Sequence, residues 1–327
     1  MSTSPTFNFL LALPRIKVQN ANAISSPLTH GFPAITAFMG MMWALERKTR
    51  AAGLDIAFKG IGVVCHHHQE HAHGSFIKAF HLTRNPVSKD GSTAAIVEEG
   101  RMHLEVSLIL ALDSERWRRD EQVQRQDIAT IQEMVGAMRI AGGSVMPVPH
   151  PGLYRYQPQV IDLTGAEEDR LDAFQKLRLR LLPGFALVSR DDLLDERLAE
   201  LQEEAPDKTR LDAWLSLARI NWRYDAESQA WQHDRHALGW IVPIPVGYGA
   251  LSELQPAGSV ANARDGTTPF QFVESLFSVG EWVSPHRLEQ AEQLIWYPHT
   301  DTEAQQYRCR NDYRPVNDPF EHLYDFS

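Results

Sequence analysis

The chain has 327 residues, of which 43% are hydrophobic and 23% are charged. These proportions are typical of a globular protein, and they exclude the fibrous and intrinsically disordered classes. Two cysteines exclude a disulfide framework. The N-terminal residues lack the positive region of a signal peptide, and no apolar run is long enough to span a membrane. We therefore expect a cytoplasmic protein with no membrane partner.

The net charge of −10 argues at first against a nucleic-acid partner, because basic surface is the usual sign of one. The charge is unevenly distributed along the chain. Residues 1–97 contain nine Lys and Arg against four Asp and Glu, whereas residues 236–327 contain five against twelve. This asymmetry allows the N-terminal part to face RNA. The alternative is that the two parts simply have solvated surfaces of different composition.

The chain begins with a pattern of strand followed by helix. Residues 7–18 are apolar and predict a strand. Pro33 suits the first turn of a helix, where its missing N–H costs nothing. The residues that recur at helical spacing after it are Ile35, Phe38, Met42 and Leu45.

Two more strands and a second helix follow. Residues 55–65 are β-branched and apolar, and residues 102–110 alternate apolar with polar side chains, which is the period of a strand with one buried face. Residues 114–138 predict a helix, and residues 141–146 lead through two glycines to a further strand. The order β-α-β-β-α-β predicts an α+β fold with a ferredoxin-like domain. Such a domain leaves one sheet face open, as RNA-recognition folds do.

Between the first strand and the first helix lies an uncharged stretch, residues 19–33, which reads Gln-Asn-Ala-Asn-Ala-Ile-Ser-Ser-Pro-Leu-Thr-His-Gly-Phe-Pro. Neither helical nor strand periodicity runs through it. Its amides and hydroxyls suit phosphate oxygens and base edges. We therefore expect a connection rich in uncharged hydrogen-bonding groups.

The second half of the chain is different in character. Helices are predicted over residues 167–182, 191–204 and 207–222, with Pro183-Gly184 as the break between the first two. Residues 224–237 are polar and predict a loop.

Beyond this loop, residues 238–248 are apolar but contain Pro243 and Pro245, which place any strand there at an edge or bulge. The tail from Tyr297 is polar and acidic, and we expect it to order against a partner. We predict three parts: a ferredoxin-like domain (1–163), a mainly helical region (164–237) and an irregular, β-containing C-terminal part that returns to the core (238–327).

Several strings of sequence resemble one known family, the subunit of type I-F CRISPR surveillance (Csy or Cascade) complexes that binds the 5′ handle of guide RNA beside the large subunit. The strings run in one order from about Leu11 to Arg287. They are residues 19–33, residues 90–101 running on to 103–108, Gly136-Ala-Met-Arg-Ile-Ala-Gly-Gly-Ser144, residues 180–190, residues 239–248, Asn262-Ala-Arg-Asp265, and Gly280-Glu-Trp-Val-Ser-Pro-His-Arg287.

The resemblance implies a member of the RAMP superfamily, which has a ferredoxin-like core and a glycine-rich loop near its last strand. It implies a non-enzymatic subunit without cofactors. Its partners would be the guide RNA, the large subunit and an adjacent backbone subunit. Direct contact with target DNA stays open. The guide RNA of such complexes reads target sequence by base pairing while protein reads shape and a short duplex motif.

Fourteen residues are candidates for contact with the handle. In the uncharged stretch, the Asn and Ser side chains are able to hydrogen-bond RNA. The alternative is that they hydrogen-bond the backbone of their own loop, as Asn and Ser commonly do. A guanidinium beside a Gly-Gly pair is able to bind phosphate, although such a pair also marks a simple turn. The candidates are Asn20, Asn22, Ser25, Ser26, His30, Arg84, Asn85, Ser92, Arg101, Arg139, Gly142, Gly143, Ser144 and Arg178.

The histidine-rich string from Cys65 to His73 raises a zinc hypothesis, because His67 and His71 are four residues apart, as two ligands on one helix would be. Neighbouring glycines favour strand and loop instead, and we expect no metal. The dipeptide His233-Asp234 resembles a metal-nuclease motif, and we expect it to be exposed in a loop.

The alternative function is a metal-independent endoribonuclease that processes repeat RNA, with His30, His103 or His286 as the base. A third possibility is a scaffold that binds only protein.

Overall fold

The computed structural model describes residues 4–74, 77–84, 86–148, 150–234, 239–263 and 265–315. The protein is a mixed α/β structure built on an antiparallel sheet. Its strands are β1 (Phe9–Asn22), β2 (Ile24–Ser26), β3 (Thr29–His30), β4 (Ala57–Glu70), β5 (Ala72–His73), β6 (Ala79–Phe80), β7 (Leu82–Arg84), β8 (Ile96–Glu98), β9 (Arg101–Asp113), β10 (Arg139–Ile140), β11 (Gly143–Val145), β12 (Gln159–Asp162), β13 (Phe185–Ser189), β14 (Trp222–Asp225), β15 (Ala230–His233), β16 (Ile241–Ala250), β17 (Val273–Val283), β18 (Tyr297–Asp301) and β19 (Gln306–Arg310).

The helices lie between these strands. The α-helices are α1 (Ile35–Ala51), α2 (Glu115–Arg119), α3 (Glu121–Gly136), α4 (Glu167–Arg180), α5 (Asp191–Glu204) and α6 (Arg210–Leu217). Short 3₁₀ helices are Tyr154–Tyr156, Pro285–Arg287 and Ala291–Leu294.

The main sheet has the strand order β10-β11-β1-β9-β4-β13-β17-β16-β19-β18, and β12 also pairs with β1. Each of these pairings is antiparallel. The sheet therefore takes strands from all three parts predicted from the sequence. The division at residues 163 and 237 stays a prediction about chain organisation.

Apolar side chains cover the sheet on both faces. On one face Phe38 and Met42 of α1 and Ile131 of α3 pack in the same cluster as Leu108 and Leu110 of β9. On the other face α4 and the helix Ala291–Leu294 cover the β1 and β9 residues that point away from α1. A third cluster seats α5 and α6 on β16 and β17.

The first strands and the first helix are confirmed, with shifted ends. β1 begins two residues later than predicted and runs on through Asn22, so it takes in the start of the uncharged stretch. β4 likewise continues beyond Cys65 to Glu70. Both strands lengthen because each pairs with β9 along its whole course, passing irregularities in register. The helix begins at Ile35, with Ala34 at its N-cap.

The single helix predicted over residues 114–138 is wrong. The backbone is extended at Asp120 (φ −150°, ψ 110°), which separates α2 from α3. The Asp120 carboxylate accepts hydrogen bonds from the backbone N–H groups of Gln122 (2.8 Å) and Val123 (3.3 Å). Asp120 is therefore the N-cap of α3, a position where its short acidic side chain is favoured.

The predicted helical region also contains strands. β13 lies in the centre of the main sheet, although only five residues long. The predicted loop at 224–237 is instead largely a hairpin of β14 and β15, in which Trp222 pairs with His233 and Tyr224 with Trp231. The residues of β14 alternate aromatic with polar side chains, which is the period of a strand, so the overall polarity of this segment was a misleading sign of a loop. Residues 235–238 lie outside the described part.

The C-terminal part is more regular than expected. β16 has the predicted bulge, between Pro245 and Gly247. The tail forms the hairpin β18–β19, which joins the main sheet through β16, so residues 297–310 order against this chain itself. Among the described residues, no helix combines the length and apolar character needed to cross a membrane.

Gly60 and Gly62 let β4 touch the segment at residues 294–296. A Cβ on Gly60 would lie 2.5 Å from the carbonyl oxygen of Trp296. The backbones of Ile61 and Trp296 exchange two hydrogen bonds there, of 2.8 and 3.0 Å. The Trp296 indole is fully buried and donates to the Leu187 carbonyl at 2.7 Å.

Gly60→Ala should therefore lower the free energy of unfolding by about 1–3 kcal/mol, because the new methyl group meets backbone that cannot rotate away. The matched control is Gly40→Ala in α1, where a Cβ would meet nothing within 4 Å. That change should raise stability by about 0.5–1 kcal/mol. Urea unfolding of the two variants measures both, and equal effects would contradict the close approach.

Candidate nucleic-acid interface

One face of the sheet is covered along only part of its length. On the face away from α1, the β9 residues Ile109 and Ala111 are buried under the cluster that contains α4. Towards the start of β9 the same face carries Ser107, Glu105 and His103, because alternate residues share a face. We call the uncovered part, with its neighbours on β1, β4 and β11, the open face.

A first row of polar side chains crosses the open face. Lys17 of β1 pairs with Glu105 of β9, which pairs in turn with His67 of β4. Directly opposed residues of antiparallel strands place their side chains on the same face. The three residues line a cleft of about 250 Å³ together with Gln19, His103 and Met146.

A second row lies one step towards the end of the sheet. Arg139 pairs with Ser144, which pairs with Gln19, and all three are exposed. Ile140, next to Arg139, is buried on the opposite face. The row therefore continues the open face onto the hairpin β10–β11. Within the described residues, the Arg139 side chain forms no hydrogen bond or ion pair, so its guanidinium is free to meet a ligand.

A bulge in β1 joins this row to β9. Asn20 has a φ of +57°, a left-handed conformation that Asn tolerates better than most residues. The Asn20 backbone N–H points at Nδ1 of His103, 3.3 Å away. His103 in turn pairs with Gln69 of β4. Two adjacent residues of β1, Gln19 and Asn20, thus oppose the single residue His103 of β9. Such a bulge redirects side chains, and here it directs polar groups along the open face.

The two glycines of the β10–β11 turn have different roles. Gly142 has a φ of +77°, which the tight turn requires. A Cβ on Gly143 would lie 2.7 Å from both the Ala21 nitrogen and the Gln19 carbonyl oxygen. Gly143 is therefore explained by packing of the hairpin against β1 rather than by approach of a phosphate.

A partly buried polar chain closes the open face where the apolar cover begins. The Arg15 backbone N–H donates to the Ser107 hydroxyl (3.1 Å), which lies 2.7 Å from Nε2 of His66. His66 Nδ1 lies 2.7 Å from the Pro183 carbonyl oxygen, which only accepts, so Nδ1 carries the proton. The Arg15 guanidinium pairs with Glu105 at 2.9 Å.

The polar residues of the predicted loop are mostly engaged within the chain. Asn22 bonds the backbone of Ile24 through both atoms of its amide, at 2.6 and 3.1 Å. Ser25 donates to the Phe32 carbonyl, and the Ser26 hydroxyl lies 2.7 Å from that of Thr29.

His30 is exposed and lies 3.0 Å from a Glu70 oxygen. These side chains therefore have structural roles within the chain. Of the loop candidates, only Asn20 adjoins the two rows, through the bulge in β1.

The remaining candidates are spread over the molecule. Arg101 pairs with Glu99, and the Ser92 hydroxyl bonds Asp90 in a turn. Arg178 donates to the backbone carbonyls of His286 (3.1 Å) and Leu288, which fixes α4 to the helix Pro285–Arg287. Arg84 is exposed on β7. Asn85 lies outside the described residues.

The hypothesis that His67 and His71 bind zinc from one face of a helix is wrong in its geometry. His67 lies within β4 and His71 just beyond its end, so four residues of separation do not place them as on a helix. Within the described part of the chain, no three His, Cys, Asp or Glu side chains are arranged to hold a metal ion.

The two metal-nuclease-like residues, His233 and Asp234, are half-buried rather than exposed. Asp234 accepts from the backbone and side chain of Asn221, which ties the hairpin to the end of α6. Asp234 therefore has a structural role.

Sequence reasoning missed Lys17, Gln19 and Gln69 as members of the open face. The alternation of apolar and polar side chains over residues 102–110 indicated that His103 and Glu105 lie on the unburied face of a strand. The partners of these two residues depend on strand register and on the β1 bulge, which the sequence does not reveal.

A model of a family of CRISPR-associated proteins matches this chain over residues 11–309. That family is Cas_Csy2, and the chain belongs to it. It is also similar to the CRISPR-associated protein Csy2 of Pseudomonas aeruginosa (strain UCBPP-PA14), with 47% identity over 311 residues that cover 91% of this chain and 94% of the relative. The CRISPR assignment made from the sequence strings is confirmed.

The pH dependence of stability should report on His66. The pKa of His66 is lowered, chiefly by burial. The hydrogen bond to Pro183 raises this pKa, and the charge of Arg15 lowers it further. The unfolded chain then binds more protons than the folded chain just below pH 6.5, so this contribution to stability is complete above that pH and is lost as pH falls.

We therefore expect His66→Gln to cost more stability at pH 7.5 than at pH 5.5 in urea unfolding. The control is His286→Gln, an exposed residue whose ring bonds the Ser284 hydroxyl. If the cost of His66→Gln is the same at both pH values, the half-buried neutral imidazole is not the folded form.

Proposed function

We propose that this protein is a non-catalytic subunit of a type I-F CRISPR surveillance complex in antiviral defence. In this proposal the open face binds the 5′ handle of the guide RNA, and other surfaces bind the large subunit and an adjacent backbone subunit. Family membership and the strings of sequence support the complex. The observation that supports RNA binding is the convergence of Arg139, Ser144 and Asn20 on one uncovered sheet face.

The proposal includes a ferredoxin-like core of the RAMP type. In that fold the fourth strand lies beside the first, and the third lies between the first and the second. The order β11-β1-β9-β4, with α1 between β1 and β4 and α3 between β9 and β10, supports it. The remaining strands extend the sheet on the β4 side.

The chemistry of the open face suits single-stranded RNA bound by few charges. Its uncharged groups, the Gln19 and Gln69 amides and the Ser144 hydroxyl, are able to bond base edges and sugars. Arg139 supplies positive charge in the second row, while Glu105 pairs with Arg15 and Lys17. Binding of this kind is consistent with a chain of net charge −10.

The combined variant Asn20→Gly, Ser144→Ala and Arg139→Gln should bind handle RNA at least tenfold more weakly, because each lost hydrogen bond costs on the order of 1 kcal/mol and one to phosphate costs more. Glycine is chosen at position 20 because it keeps the positive φ. Loss of one cation should also lower the slope of log affinity against log salt by about 0.7.

Fluorescence anisotropy with a labelled handle RNA measures both effects, and circular dichroism checks the fold. The matched control is Arg119→Gln on α2, an exposed arginine on the helix-covered side of the sheet. If the control weakens binding as much as the triple variant does, the open face is not the RNA site.

Purified chain incubated with repeat RNA should leave that RNA intact, with or without EDTA or added divalent metal. Among the candidate bases, His30 is held by Glu70 and His286 by Ser284, while His103 accepts from a backbone N–H. Denaturing gels measure the outcome. Metal-independent cleavage at one position, abolished by His30→Ala or His103→Ala, would favour the endoribonuclease instead.

A further inference from the structure

Four histidine rings gather where β4 and β9 meet the small hairpins at the end of the sheet. The ring centroid of His71 lies 4.2 Å from that of His103 and 6.2 Å from that of His81. The His73 and His81 rings are 5.3 Å apart. We call these four residues the histidine cluster. The sequence shows a histidine-rich string but places neither His81 nor His103 within it.

Backbone hydrogen bonds fix the cluster in place. The His71 N–H donates to the Arg101 carbonyl at 2.8 Å, and the His81 N–H donates to the His71 carbonyl at 3.2 Å. The Glu99 N–H donates to the His81 carbonyl at 3.4 Å. His103 is held by the Asn20 N–H of the open face. The cluster therefore continues the second row of the open face towards the sheet edge.

The carboxylates around the cluster already have partners. Glu70 contacts His30, Glu99 pairs with Arg101, and Glu105 pairs with Arg15 and Lys17. Glu98 accepts from the Phe80 backbone N–H at 2.6 Å. No described carboxylate forms an ion pair with any of the four rings. The charged groups near the cluster, taken from β1, β4, the β6–β7 segment, β8 and β9, are Lys17, Glu70, Lys78, Glu98, Glu99, Arg101 and Glu105.

Four imidazoles without a carboxylate form a site that becomes strongly cationic when protonated. Their ring nitrogens do not converge as metal ligands would. An anion between the rings would offset the repulsion among protonated imidazoles. We propose that the histidine cluster binds a phosphodiester group of the guide RNA in its protonated state. This inference rests on the RNA-binding function proposed above.

The direction of the pH effect follows from the same contacts. Burial lowers the pKa of His71, and the neighbouring His103 and His81 lower it further. A bound phosphate would raise that pKa, because it favours the charged ring. Binding then takes up protons, so affinity rises as pH falls from the raised pKa of the phosphate-bound ring towards the lowered pKa of the free ring.

The test is binding of the full chain to a synthetic 5′ handle RNA at pH 7.5 and pH 6.0, with EDTA present. Affinity should rise by up to about thirtyfold at the lower pH, because uptake of one proton changes the binding constant tenfold per pH unit. The double variant His71→Gln/His81→Gln should lose most of that gain while it keeps His103, which supports the bulge. The control His286→Gln/His299→Gln changes two histidines outside the cluster and should keep the gain.

Each outcome decides between the two proposals. Tight binding with the same pH dependence in the wild type and the cluster variant overturns the histidine inference alone. No binding of handle RNA at either pH overturns the proposed function and this inference with it. A pH-dependent gain seen with duplex DNA but not with handle RNA would overturn the assignment of the site to RNA.

Discussion

The structure depends on one strand, β9, and on its hydrogen-bonded pairing with β1 on one side and β4 on the other. From Leu108 to Leu112 this strand is fully buried on both faces, so it joins two apolar clusters. Before Ser107 only the face towards α1 and α3 is apolar. This change along a single strand decides where the sheet is covered and where it is open.

The open face carries little charge but is rich in hydrogen-bonding groups. Its geometry is set by local constraints in the backbone: the left-handed Asn20, and Gly143, which fits against β1 only because it lacks a Cβ. The partly buried chain from Arg15 through Ser107 to His66 closes one end of this face. Rigid placement of neutral groups allows selective contact with RNA without a strongly basic surface.

The sequence allowed prediction of the elements whose periodicity is strong. The alternation around Met102 and Leu104 and the helical spacing from Ile35 to Leu45 correspond to β9 and α1. The family was also found from its strings. These features are visible because each depends on residues close together in the chain.

The remaining features depend on contacts between distant residues. Asn20 opposes His103 only because β1 bulges beside β9, and His71 meets His81 through pairing of short segments. The sequence pattern places Asp120 in the interior of a helix, whereas in the structure it is the N-cap of α3. The serines and Asn22 of the uncharged stretch were assigned to RNA, whereas the fold engages them in its own loop.

The central claim is that guide RNA lies on the open face. Photo-cross-linking of a handle RNA that carries 4-thiouridine in the assembled complex, followed by mass spectrometry of the attached peptides, tests it most directly. The account predicts cross-links to peptides that contain residues 17–22, 101–105 and 139–146. Cross-links confined to the hairpin β14–β15 or to α5 and α6, with those three segments free of RNA, would contradict it.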